Sequence, residues 1–164
     1  MICSVVGRFD TIFEHSNSYF REYMVALISN INKIIDLGYT TFLSEIICER
    51  DEDICTVISA FEKHKRNIYL EGILPYQTNE KNVFQRNLEK YCKKIHYVAD
   101  DTDNKRAIRL LQKYMIDNSD ATLFIWSGKK QGDIWNEIKY AREIGKQIFY
   151  INYSEFKGNV RIFS

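Results

Sequence analysis

The chain has 164 residues, the size of one ordinary domain, and its 45% apolar and 14% aromatic content suffices for a sizeable core. Its 23 basic and 22 acidic side chains leave a net charge of +1, far from the strong positive field of a nonspecific nucleic-acid binder. No apolar run approaches membrane-spanning length, and the opening ICSVVG lacks the basic segment and longer apolar stretch of a signal peptide, so a cytosolic protein without membrane partners is expected.

Ile2 to Val6 is a short apolar run ended by Gly7, which fits a first, central strand. Ser16 or Asn17 is placed to cap a helix from about Ser18 to Leu37. There Phe20, Met24, Leu27, Ile28, Ile31, Ile34 and Ile35 form an apolar stripe, and Gly38 supplies a stop. Tyr39 to Leu43 reads as a second strand. Asp51 to Lys65 reads as a second helix, with Ile54, Val57, Ile58 and Phe61 at helical spacing. Ile68 to Leu74 is a third strand, ending at the only proline, Pro75. Asn79 to Lys93 reads as a surface helix and Ile95 to Val98 as a short strand, followed by the acidic turn Ala99 to Asp103.

A helix from about Asn104 to Ile116 carries Ile108, Leu111 and Met115 and leads into the most informative stretch, Tyr114 to Tyr153. There the apolar run Ala121 to Trp126 suits a buried parallel strand and Ser127 to Gly132 forms a loop. A helix opens near Asp133, and Gln147 to Asn152 is a β-branched and aromatic strand. Strands alternating with helices at this spacing predict an α/β fold, a Rossmann-like doubly wound, mainly parallel sheet flanked by helices. Residues 1 to 153 read as a single domain of this kind, and Ser154 to Ser164 as a tail or an added edge strand.

In such sheets ligands lie beyond the carboxyl ends of the strands, where the strand order reverses. That rule nominates the loops Gly7 to His15, Ser44 to Asp51, Pro75 to Thr78 and Ser127 to Asp133. Backbone amides at a helix start favour an anionic group, and glycine permits close approach to the main chain. Lys129 and Lys130 can act as point charges, Arg8 stands at the mouth of the site, and Asp133 is suited to cap its helix. Phe9 and Tyr76 can offer a face to a base, whereas Trp126 and Trp135 read as core.

The candidate ligand-binding set is Gly7, Arg8 and Phe9 after the first strand, and Ser44, Glu45, Glu49 and Asp51 after the second. Pro75 and Tyr76 follow the third, and Gly128, Lys129, Lys130, Gln131, Gly132 and Asp133 the fifth. Cys3, Cys48, Cys55 and Cys92 lack zinc-site spacing and read as reduced core thiols. His15, His64 and His96 lie far apart without ligand partners, so no metal ion and no cofactor is expected. A Walker A loop, a Gly-x-Ser-x-Gly elbow and an HExxH motif are all missing from the sequence.

Four features, VVGRF at Val5 to Phe9, LPY at Leu74 to Tyr76, YMIDNSD at Tyr114 to Asp120 and GKKQGDIWNEIKYAREIGK at Gly128 to Lys146, resemble the YpsA/YoqJ-like branch of the SLOG superfamily. This is the Rossmann-like group that includes the DprA and LOG proteins. The resemblance implies binding of a nucleotide-derived small molecule, among them NAD-derived and cyclic nucleotide signals, and an oligomeric assembly is common in the group. Relatives usually carry SGxxxGxD after the second strand, where this chain has Ser44-Glu45-Ile46-Ile47-Cys48-Glu49-Arg50-Asp51, with glutamate for both glycines. The Gly-Gly-Thr often found in the other phosphate loop is here Gln131-Gly132-Asp133, and an Arg-Asn pair before the YMVD-like motif is Leu111-Gln112.

Three functions follow from this resemblance and its departures. The leading one is noncatalytic holding of a nucleotide-derived signal, as in a phage sponge that sequesters a host immune signal. The second is an enzyme of the phosphoribohydrolase or deoxyribosyltransferase type, with Glu45 or Glu49 assisting cleavage of an N-glycosidic bond. The third is an interaction module with a degenerate pocket.

Overall fold

The computed structural model describes residues 1–7, 18–47, 51–64, 67–76, 83–98 and 104–156. In chain order these form β1 (Ile2–Gly7), α1 (Ser18–Asp36), β2 (Thr41–Glu45), α2 (Asp51–His64), β3 (Tyr69–Leu74), α3 (Val83–Glu89) and β4 (Lys94–Tyr97). Then follow α4 (Asn104–Asp117), β5 (Ala121–Trp126), α5 (Asp133–Glu143), β6 (Gln147–Asn152) and a single 3₁₀ turn at Tyr153–Glu155. All six strands are parallel, in the order β4-β3-β2-β1-β5-β6. The expected doubly wound parallel α/β sheet is therefore the fold, with β1 in its interior.

The order explains the two helical layers. From β1 to β4 the chain steps outward one strand at a time, then crosses back over β1 to place β5 and β6 on its other side. Because crossovers between parallel strands are right-handed, reversing the direction of stepping moves the helices to the opposite face. Thus Leu27, Ile31 and Ile34 of α1, Ile54 and Ile58 of α2 and Leu88 of α3 share one core with Val5, Phe42, Leu70 and Leu123. Leu111 and Met115 of α4 and Ile138 and Ala141 of α5 share the other with Val6, Leu43, Ile73 and Phe124. Alternate residues of each strand feed alternate cores, as the two-residue pleat requires.

Several boundaries differ from the sequence reading: α3 ends at Glu89 rather than Lys93, and β3 begins at Tyr69 rather than Ile68. Strand β2 begins at Thr41 rather than Tyr39, because the chain first completes a helix stop. Gly38 N–H donates to the Ile35 carbonyl (2.9 Å) and Tyr39 N–H to that of Ile34 (3.3 Å), with Tyr39 and Ile34 both buried. Tyr39 is thus spent on the cap, and β2 runs on to include Ser44 and Glu45. The expected strand Ile95 to Val98 appears as Lys94–Tyr97. Residues 16, 17, 65, 79–82, 99–103 and 157–164, on which the α1 cap, the outer ends of two helices, the acidic turn and the edge strand were placed, lie outside the described residues.

Candidate functional site at the carboxyl edge of the sheet

The strand order reverses between β1 and β5, so the crevice that topology offers a ligand lies between Gly7 and the loop leaving Trp126. At Gly7 the chain is tight against β5, since a Cβ there would sit 3.3 Å from Ile125 Cβ. Arg8, Phe9 and Glu49 lie outside the described residues.

The β5–α5 loop is shaped by its glycines. Gly128, at φ +77°, packs so closely under the end of β6 that a Cβ would lie 2.9 Å from the Asn152 side-chain amide. Asn152 is in turn fixed, accepting from Ser154 N–H (3.2 Å) and donating to Glu155 Oε1 (2.9 Å). Gly132 has φ +82° and ψ −173°, a conformation essentially reserved for glycine, and space around its α-carbon is open. Gly132, and not Asp133, is therefore the N-cap residue of α5. The sequence reading gave that role to Asp133, but the backbone must reverse at 132, which moves Asp133 into the first helical turn.

A recess of about 280 Å³ lies against this loop, lined by Ser127, Lys129, Gln131, Gly132, Asp133, Ile134 and Tyr153. Four of the six expected loop residues thus meet in one hollow at the start of an 11-residue helix. Lys130 is exposed beside it.

A second, larger groove of about 400 Å³ runs between α4 and α5, lined by Arg109, Gln112, Lys113, Ile116, Asp133, Asn136, Glu137 and Tyr140. Asp133 belongs to both hollows, so they adjoin across the first turn of α5. Sequence reasoning missed this groove. Gln112 stood out only as part of a departure from a family pair, and Asn136, Glu137 and Tyr140 lie within the Gly128 to Lys146 motif without having been singled out. Lys113, Tyr140 and Asp117 close its lower end: Lys113 donates to Asp117 Oδ2 (2.8 Å) and is also bonded to the Tyr140 hydroxyl. Burial raises the Asp117 pKa, but the hydrogen bonds from Lys113 and Tyr140 and the charges of Lys113 and Lys146 outweigh it and hold the carboxyl below its ordinary value.

The second-strand segment takes a different form from the expected loop. Ser44 is buried within β2, and Glu45 is its last residue, paired with Ile73 of β3. An extended backbone here asks for no glycine, so Glu45 costs the main chain nothing. Its side chain points to the α4 face, where buried Gln112 donates to Oε1 (3.4 Å). Asp51, at the start of α2, accepts from Ile47 N–H (2.7 Å) and closes the β2–α2 connection. Pro75 is buried and Tyr76 half-buried beyond β3. Trp126 is core, stacked on Trp135 with centroids 5.8 Å apart and planes 10° from parallel.

The YMIDNSD motif lies at the other end of the strands. Asp120 accepts from Ile2 N–H (2.8 Å), and Ser119 bonds Ser4 (3.0 Å), so this motif seats β5 beside β1 at the amino edge. Among the described residues, no group of three acidic, His or Cys side chains is placed to hold a metal ion, and no helix is long and apolar enough to cross a membrane. Compared with models of known protein families and with curated proteins, the chain matches none.

Proposed function

We propose that this chain reversibly binds a nucleotide-derived small molecule across the first turn of α5 and releases it uncleaved. The observation that carries this reading is the sharing of Asp133 by two adjoining hollows at the carboxyl edge. One ligand can lay an anionic group against the amides and Lys129 of the 127–132 loop and a hydroxyl- or amino-bearing group in the α4–α5 groove. The first hollow suits phosphate, through exposed amides at a helix start reinforced by a point charge. The second offers amides from Gln112 and Asn136, carboxylates from Asp133 and Glu137 and the guanidinium of Arg109, a set suited to a polar ring or ribose.

Glu45 is the described carboxylate nearest to an enzymatic role. Its Oε1 already accepts from Gln112, which favours holding over proton transfer. The resemblance to the SLOG superfamily narrows the ligand to a NAD-derived or cyclic nucleotide signal and the role to a sponge that sequesters it. The geometry itself speaks only to phosphate and polar groups.

Native mass spectrometry of the purified chain, followed by denaturation and identification of what is released, tests this directly. An intact nucleotide derivative is expected. A cleaved product whose formation is lost in Glu45→Gln or Glu49→Gln moves the chain to the N-glycosidic enzymes. No released molecule, and no thermal shift with NAD, ADP-ribose, cyclic ADP-ribose isomers or cyclic nucleotides, moves it to an interaction module.

A further inference from the structure

The two edges of the sheet are built in opposite ways. Edge strand β4 has only four residues and carries Lys94 and His96 directly after Lys93, the short, charged construction that discourages edge-to-edge pairing. Edge strand β6 has six residues, QIFYIN, with no charge and no proline, in unbroken register with β5 from Gln147 to Asn152. Of the nearest cations, Lys146 is turned away from this edge and Arg142 reaches it over the α5 face. Lys146 donates to the Asp117 and Ser119 carbonyls (3.1 and 2.6 Å), and Arg142 lies on the α5 side, donating to the Tyr150 hydroxyl (2.7 Å).

The pleat specifies which groups face outward. Gln147 N–H points to β5, donating to the Asp120 carbonyl, so the N–H and C=O of Ile148, Tyr150 and Asn152 point away from the sheet. Among the described residues no other strand pairs with this edge, and the Asn152 carbonyl is taken up by the 3₁₀ turn that follows. Helix α1 extends the surface. It contacts β6 and carries exposed apolar side chains. Among them Ile28 is 45% exposed and Val25 is 58% exposed.

We propose that a second copy of this chain docks on β6, pairing antiparallel about a two-fold axis to make one continuous sheet. Self-complementarity selects this occupant. The antiparallel register that sets Tyr150 opposite its own copy places Ile148 against Asn152, so the paired strands oppose no like charges, whereas β4 carries Lys94 on its edge.

Sedimentation velocity and hydrogen exchange on the full chain test this. A particle of twice the 19.5 kDa chain mass is expected, with the Ile148 and Tyr150 amides protected from exchange. Tyr150→Lys and Tyr150→Pro should both weaken association at least about tenfold and expose the Ile148 amide while the circular dichroism spectrum stays unchanged. The proline variant is informative because the lost N–H pairs with no strand among the described residues. A full chain that stays monomeric at roughly 100 µM overturns the proposal, as does a dimer indifferent to both variants. A chain ending at Phe156 that dimerises where the full chain does not assigns the edge to residues 157–164, and equally overturns it.

Discussion

Gly128 and Gly132 belong to the same loop but are required for different reasons, and substitution separates them. Gly132→Ala meets no neighbour, so its cost is that of a strained backbone alone, on the order of 1–3 kcal/mol. Gly128→Ala adds a collision with Asn152 and is expected to destabilise more. Asn152→Ala removes the colliding atoms, so a double-mutant cycle by urea denaturation should show coupling between positions 128 and 152 and none between 132 and 152. If binding uses this loop, both alanine variants also lose the thermal shift given by the released ligand. Sequence pattern placed the loop and both glycines, because glycine after an apolar run is a strong backbone signal. It misplaced the helix cap by one residue, since Asp and Gly are both good caps and only the local φ and ψ separate them.

At the level of elements, β4 is short and lies at the sheet's edge, and a chain of side chains adds to its pairing with β3 and the packing of Ile95. Glu71 of β3 lies 2.6 Å from His96 Nε2, and His96 Nδ1 is 3.2 Å from the Tyr114 hydroxyl of α4. These groups tie β3, β4 and α4 together on the α4 face. Tyr114→Phe removes one hydrogen bond and should cost about 0.5–1.5 kcal/mol. The loss should be local as well as global: hydrogen exchange of the β4 amides ought to accelerate more than that of β1, and uniform acceleration would show that the clamp does not hold the edge. None of this was legible beforehand, because Glu71, His96 and Tyr114 are far apart in sequence and meet only through the crossover. The helices and strands themselves were legible wherever one face is buried, as along α1, whose apolar stripe marks its length. The motif at Tyr114 to Asp120 was also visible, but not its place at the amino edge, where it locks strand starts together instead of meeting a ligand.

For the whole molecule, alternation of strands and helices is enough to forecast a parallel doubly wound sheet, but the order of its strands is visible only in the fold. The α4–α5 groove follows from that order, since it exists only because α4 and α5 share a face after the crossover. The same burial sets the molecule's response to pH. Burial pushes Cys3 and Cys92 up to about 12, with the charges of Glu89 and Glu62 adding to the shift at Cys92, and it raises Cys55 and Tyr23 further still. Thiols in the unfolded chain titrate near 9.0. Above that value the unfolded state releases protons that the native state keeps, so the stabilising effect of burying neutral thiols is complete below pH 9 and is lost as pH rises toward 12. Each fully buried thiol should then contribute on the order of 1 kcal/mol of lost stability at about pH 10. Asp117 acts in the opposite range. Its lowered pKa adds stability above the ordinary carboxylate value that disappears as pH falls through the folded one. Urea denaturation in reducing buffer near pH 7 and near pH 10 measures the alkaline effect, and Cys3→Ala should flatten it because the variant has no proton to lose at that position. An unchanged slope in that variant would show that the Cys3 thiol is not what couples this fold to alkali.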